Sequence, residues 1–191
     1  MLKRDKSDIA LSKYTRCISK NRSDYRAYNN RGNIYLQKGL YIRAISDYNK
    51  AIEINPSFTL AYINRGCAHQ EMRLYDFAIQ DYTKAIELDP SNSMAFNNRG
   101  FTFLLLCNYT EAEADLKKSL EISPDNIYAL NSMAELQAAL KNEAEACRWL
   151  RRAIEKGFNN WHYIKTSKTY DNIRSAGCFK EIIQKIISKG H

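Results

Sequence analysis

Several things are missing from this chain, and each absence removes a class of function. No segment is apolar for long enough to span a membrane, and the N-terminal MLKRDKSDIALSKY lacks the apolar core of a signal peptide. The expectation is a soluble, cytoplasmic protein with no membrane partner. The five cysteines, Cys17, Cys67, Cys107, Cys147 and Cys178, are odd in number, far apart and never in a CxxC pair, which argues against a disulfide framework and against a zinc site. They read as reduced thiols, mostly buried as small apolar side chains. There is no phosphate loop, no HExxH, no GxSxG and no set of metal-spaced ligands. Of the three histidines, His162 and His191 stand in no motif. The chain therefore offers no catalytic residue, no metal site and no cofactor site, and it reads as a non-enzyme.

The net charge of +8 points to nucleic acid until it is divided along the chain. Residues 1–26 carry eight Lys/Arg against three Asp/Glu, residues 148–191 ten against three, and residues 27–147 eleven against fifteen, giving +5, +7 and −4. A nucleic-acid groove needs its basic residues along the binding surface. Here they sit at the two ends, as solvated basic caps.

What the sequence does have is a period. Gly32, Gly66 and Gly100 stand 34 residues apart, as do Pro56, Pro90 and Pro124, and Ala44, Ala78, Ala112 and Ala146 keep the same step. With the proline set at position 32, each unit has an aromatic at 4 (Tyr28, Tyr62, Phe96) and a large residue at 24 (Tyr48, Tyr82, Leu116). A small residue follows at 27 (Ala51, Ala85, Ser119). In this pattern and period the chain resembles the tetratricopeptide repeat family over residues 8 to about 158. The resemblance implies an all-α fold, a right-handed superhelical solenoid of helix-turn-helix units.

In chain order, residues 1–24 read as a half repeat, a second helix without its first: Ala10, Tyr14 and Cys17 fall at positions 20, 24 and 27, and Ile9 and Ile18 complete an apolar strip. Full repeats occupy 25–58, 59–92 and 93–126, each second helix ending near its proline. Thr110 and Glu113 have capping-box spacing at the start of the second helix in the third repeat. The fourth unit, 127–158, is degenerate: Ala134 replaces the glycine, and Gly157 with Phe158 replaces the proline turn. Residues 159–191 leave the repeat spacing and read as a helical cap over the last repeat, similar to the ending of bacterial arrays of this family. All of these segments are expected to form one solenoid domain. His69, at position 11 where other units have Tyr35 and Phe103, is expected to be packed rather than reactive.

The family resemblance implies that first helices line a groove. In the first unit this selects Arg26, Asn29, Asn30, Asn33, Leu36 and Gln37, in the second Leu60, Ile63, Asn64, Cys67, Gln70 and Glu71, and in the third Met94, Asn97, Asn98, Phe101, Leu104 and Leu105. The fourth adds Tyr128, Asn131, Ser132, Glu135, Ala138 and Ala139. Asparagine recurs at position 6 in Asn30, Asn64 and Asn98, and an amide both donates and accepts. Such a ladder could hold the main chain of an extended peptide without demanding its sequence; alternatively it only keeps the groove wet. Co-chaperones of this family clamp acidic tails with two asparagines and three cations at positions that here are Asn29, Asn33, Asn64, Met94 and Asn98. Both asparagines fit and all three cations are missing, so the charge-assisted bonds to a carboxylate are lost.

Position 7 is arginine in three units (Arg31, Arg65, Arg99) and position 23 aspartate in the same three (Asp47, Asp81, Asp115), while the fourth has Met133 and Trp149. Charged together and apolar together implies contact, so a structural ion pair is expected within each unit. The function expected from the sequence is a protein-protein interaction scaffold that binds a peptide or protein segment in its groove through the asparagine ladder and apolar pockets at Phe101, Leu104, Leu105 and Tyr128. One alternative is self-assembly, a homo-oligomer formed through the exposed N-terminal half repeat. RNA binding through the basic ends is a third.

Overall fold

The computed structural model describes residues 6–188. Residues 1–5 and 189–191 lie outside the described residues, and with them the start of the N-terminal half repeat and His191. Among the described residues every regular element is helical: α1 (Lys6–Lys20), α2 (Tyr25–Gln37), α3 (Tyr41–Ile54), α4 (Thr59–Glu71), α5 (Tyr75–Leu88), α6 (Ser93–Leu105), α7 (Tyr109–Ile122), α8 (Ile127–Ala139), α9 (Glu143–Glu155), α10 (Trp161–Thr166), a 3-10 helix (Lys168–Ile173) and α11 (Gly177–Ser188). From α2 onward the long helices pack in pairs, α2 with α3, α4 with α5, α6 with α7 and α8 with α9. The chain divides after Ser91 into two compact units.

Each helix boundary has a local cause. Second helices stop at Ile54, Leu88 and Ile122, two residues before Pro56, Pro90 and Pro124, because proline excludes the α conformation from the residue before it. First helices begin behind a capping residue that also repeats every 34 positions: Asp24, Asn92, Asn126 and Asn160 each accept a backbone N–H from the first turn. Phe58 occupies the equivalent place without a cap bond and packs edge-on against Tyr25 instead. The turn between paired helices needs one residue at positive φ, always at position 15: Gly39 at 70°, then Arg73, Cys107 and Lys141 at 60°, 60° and 59°. Glycine adopts that conformation freely and the other three do so at some cost. This turn also corrects the expected capping box. The second helix of the third repeat begins at Tyr109 behind Asn108, so Thr110 lies inside it and makes no cap.

The positions carrying the period form the core. Ala44, Tyr48 and Ala51, and their counterparts Ala78, Tyr82 and Ala85, are fully buried, as are Ala112, Leu116 and Ser119 and, in the degenerate repeat, Ala146, Leu150 and Ala153. Gly32 and Gly66 exist for the tyrosines. A Cβ added to either would lie 2.6 Å from the ring of Tyr48 or Tyr82, far inside the 3.5–4.0 Å of an ordinary carbon contact. Where position 24 is leucine, Gly100 is looser, with neighbours at 3.1 Å, and Ala134 shares a buried cluster with Leu150.

The C-terminal segment folds onto the fourth repeat in one apolar cluster. Ile164, Tyr170, Ile173, Phe179, Ile182 and Ile186 meet Leu130, Ala146, Cys147 and Leu150 there. This segment keeps the repeat register longer than its sequence suggests: α10 begins behind Asn160, one period after Asn126, and its Ile164 fills position 4. The register ends where the 3-10 helix begins. A second correction concerns cysteine. Cys147 of α9 and Cys178 of α11 form a disulfide, their Cα atoms 6.1 Å apart, whereas Cys17, Cys67 and Cys107 remain thiols. The partners are 31 residues apart and meet only because α11 returns onto α9, which no spacing rule detects. With a disulfide in the chain, cysteine usage no longer argues for a reducing compartment. None of the three thiols is fully buried, and Cys107 is exposed, because its place in the turn directs it outward. No helix among the described residues is long and apolar enough to cross a membrane.

Candidate binding face on the first helices

In the 1–91 unit, arginine at position 7 and aspartate at position 23 face each other across each pair. Arg31 Nε and Nη2 donate to Asp47 at 2.8 and 2.7 Å, and Arg65 Nη2 lies 2.6 Å from Asp81. The forks are bidentate, the stronger geometry for this pair, and both aspartates are buried. The remaining Nη1 reaches the second helix of the preceding repeat, at Thr15 Oγ1 (3.5 Å) for Arg31 and Asn49 Oδ1 (2.6 Å) for Arg65. Each arginine thus ties three helices together. In the 92–191 unit Arg99 Nε donates to Asp115 at 2.7 Å, and Met133 and Trp149 pack together as apolar replacements. His69 Nδ1 sits 2.9 Å from Asp81 Oδ2 and is mostly shielded, a packed histidine on a buried carboxylate.

The asparagines divide by position. At position 5 they are buried: Asn29, Asn97 and Asn131. Asn64, at position 6 of the next repeat, donates its amide to Asn29 Oδ1 at 2.9 Å, so this rung of the row joins one repeat to the next. Asn33 accepts from the hydroxyl of Tyr48 at 2.8 Å. Asn30 and Cys67 are half-buried, Cys67 Sγ lying 3.5 Å from the hydroxyl of Tyr82. Ile63 is fully buried and presents no surface.

In the 92–191 unit the same faces of α6 and α8, with the start of α10, enclose a depression of about 440 Å³. Met94 and Tyr128 stand exposed on it, at 51% and 63%, with half-buried Phe101 and buried Phe158 between. Tyr128 and Phe158 meet edge to face, centroids 6.4 Å apart. Leu104 is buried in the core and Leu105 half-buried, and neither lines the depression. Asn97 Nδ2 donates to Asn98 Oδ1 at 3.1 Å, but Asn97 Oδ1 is buried with no partner. The reason lies in the register: Asn29 receives its bond from Asn64 at position 6 of the next repeat, and the residue at that place after Asn97 is Ser132, whose side chain is shorter. A buried acceptor left unfilled costs about 1–3 kcal/mol.

Below lies a polar network that sequence reasoning did not assemble. Glu135, fully buried, accepts from the hydroxyls of Tyr163 and Thr169, the latter at 2.6 Å, and from Asn131 Nδ2 at 3.1 Å. Tyr170 donates to Asn131 Oδ1 at 2.8 Å. Burial pushes the Glu135 carboxyl up to about 7, against the pull of its hydroxyl donors. The same burial raises the phenols of Tyr163 and Tyr170. Glu135 holds position 9, visible in the repeat frame, but Tyr163, Thr169 and Tyr170 come from the cap and have no counterpart in earlier repeats.

The tetratricopeptide repeat family models match residues 25–58 and 59–92, and a further one residues 81–114. No curated protein matches the chain. Among solved structures, the TPR domain of OM64 from Arabidopsis is 30% identical, covers 59% of this chain and 93% of its own, and superposes with a TM-score of 0.57. YrrB, described as a TPR protein with an unusual peptide-binding site, is 22% identical, spans 92% of this chain and 91% of its own, and has a TM-score of 0.62. The first TPR domain of Spaghetti (RPAP3), solved bound to the HSP90 peptide SRMEEVD, is 28% identical over 61% of this chain and 92% of its own, with a TM-score of 0.58. Motif period, helix pairing and these matches agree, and the chain belongs to the tetratricopeptide repeat family.

Proposed function

We propose that the chain is a non-catalytic interaction scaffold that holds an extended segment of another protein on the first-helix face of its 92–191 unit. One observation carries this reading: Met94 and Tyr128 are exposed apolar side chains beside a concave, amide-lined depression of about 440 Å³. Exposed apolar surface around a concavity with a few polar groups is the common form of a ligand site. Peptide binding by related proteins such as YrrB and the Spaghetti domain supports it. Phe101 and Tyr128 supply apolar contact, and Asn98 and Asn131 belong to its polar lining.

The test is selection from a random peptide library on the immobilised chain, followed by titration of the enriched peptides. Met94→Ala with Tyr128→Ala should weaken them about tenfold or more, since truncated aromatic anchors dominate interface energies. Enriched peptides indifferent to both substitutions would overturn the reading. A second reading, self-association through α1, is favoured by Ile9, 56% exposed on a helix with no buried residue. Light scattering at two concentrations, repeated with Ile9→Lys, tests it; a monomer mass at the higher concentration refutes it.

A further inference from the structure

The electrostatics of this depression suit a cation better than an acidic tail. Among the described residues lining it there is no Lys, Arg or His, and the acid there is Glu135. Phe101, Tyr128, Phe158 and Tyr163 supply aromatic rings around it, and the faces of such rings attract positive charge. Two acceptors are incompletely used. Asn97 Oδ1, on a side chain more than nine-tenths buried, has no partner. Glu135 Oε2 accepts from Asn131, and a carboxylate oxygen has a second lone pair. These two acceptors and the rings together ask for a group that donates several hydrogen bonds, carries positive charge and stacks on a ring. A main-chain N–H donates once and is neutral, and a lysine ammonium is compact and strongly hydrated. The guanidinium of arginine meets all three conditions.

We propose that this depression receives an arginine side chain presented by an extended segment of a partner protein, its plane against Tyr128 and its N–H groups on Asn97 Oδ1 and the Glu135 carboxylate. The proposal rests on the peptide-binding reading above and gives that partner its chemistry.

Peptides enriched from the random library on the wild-type chain should share an arginine at one position. Replacing it by citrulline, which keeps the shape and removes the charge, should lower affinity at least about tenfold, as the loss of a charge-assisted pair does. Measured at about pH 8, where the carboxyl that burial pushes up to about 7 is ionised, Glu135→Gln should lower affinity for the arginine peptide by a similar factor and leave the citrulline peptide unchanged. Where Glu135→Gln does not fold, the citrulline comparison on the wild-type chain decides alone. Peptides that depend on Tyr128 but carry no arginine, or that bind equally well as citrulline, overturn the arginine proposal and leave the peptide reading standing. Peptides insensitive to Tyr128→Ala remove the reading itself.

Discussion

Gly66→Ala tests the packing logic of the repeat with one methyl group. Alanine in a helix is favoured over glycine by about 1 kcal/mol, so on propensity alone the substitution stabilises. Steric crowding at this site outweighs that gain. The new Cβ would stand 2.6 Å from Cε1 of Tyr82 and 3.0 Å from Cδ1 and Cζ, and relief requires the ring to retreat by about 1 Å to reach an ordinary contact. Tyr82 is completely buried, with its hydroxyl 3.5 Å from Cys67 Sγ and from Gln70 Oε1, so the ring can retreat only against other core groups, which are close-packed. Overpacking of a tight core costs about 1–3 kcal/mol; with a fully enclosed ring the upper end applies, and the net expectation is destabilisation of about 2 kcal/mol. Gly100→Ala is the internal control, because its contacts begin at 3.1 Å, with Asp115 Cβ and Leu116 Cγ, and there the helical gain and the crowding should nearly cancel. Gly66→Ala with Tyr82→Leu reproduces the pair Ala134 and Leu150 that the fourth repeat already uses. In that double variant the loss from Gly66→Ala should largely vanish, a coupling of about 1–3 kcal/mol. Urea midpoints followed by far-ultraviolet circular dichroism read the parent and its variants, Tyr82→Leu alone included, with unchanged slope as the condition for comparing them. A Gly66→Ala protein as stable as the parent, or strict additivity in the double variant, would refute the reasoning.

Three further outcomes are expected. Ser132→Asn should supply the donor that Asn97 lacks and raise stability by about 1 kcal/mol, while narrowing the depression and weakening any peptide selected on it; an unchanged urea midpoint would count against the register argument. Glu135 titrates near 4.5 when unfolded and about 7 in the fold, so between those values the folded state binds the extra proton and stability falls as pH rises, by on the order of 3 kcal/mol in all. The facing groups from the cap, Tyr163 and Tyr170, are phenols held above their ordinary range and stay neutral there. Glu135→Gln should flatten the profile between pH 4.5 and 7, and an identical slope in the variant would exclude Glu135 as its source. Reducing the Cys147–Cys178 disulfide reopens a loop of 31 residues, which in the chain-entropy treatment costs about 3–4 kcal/mol; the urea midpoint of the protein should drop on reduction, and that of Cys147→Ser should not respond.

The sequence by itself determined the repeat, because the residues that make it are local and periodic. Proline ends each second helix, alanine at 20 and a large residue at 24 recur because one packing geometry recurs, and the joint change from Arg31 and Asp47 to Met133 and Trp149 marks two positions that touch within one unit. Periodicity says nothing of interactions that occur once. The position-15 turn was hidden because Arg73, Cys107 and Lys141 occupy a conformation usually assigned to glycine. The row of asparagines was visible, but not that Asn64 gives its amide to Asn29, nor that Ser132 leaves Asn97 unfilled, since a difference in side-chain length matters only at a known separation. The disulfide and the Glu135 network lay further from view. Both join the fourth repeat to a cap that follows no period, over separations of 31 residues for Cys147 with Cys178 and 34 for Glu135 with Thr169. Such pairs are settled by where the chain returns, and only the tertiary structure carries that information.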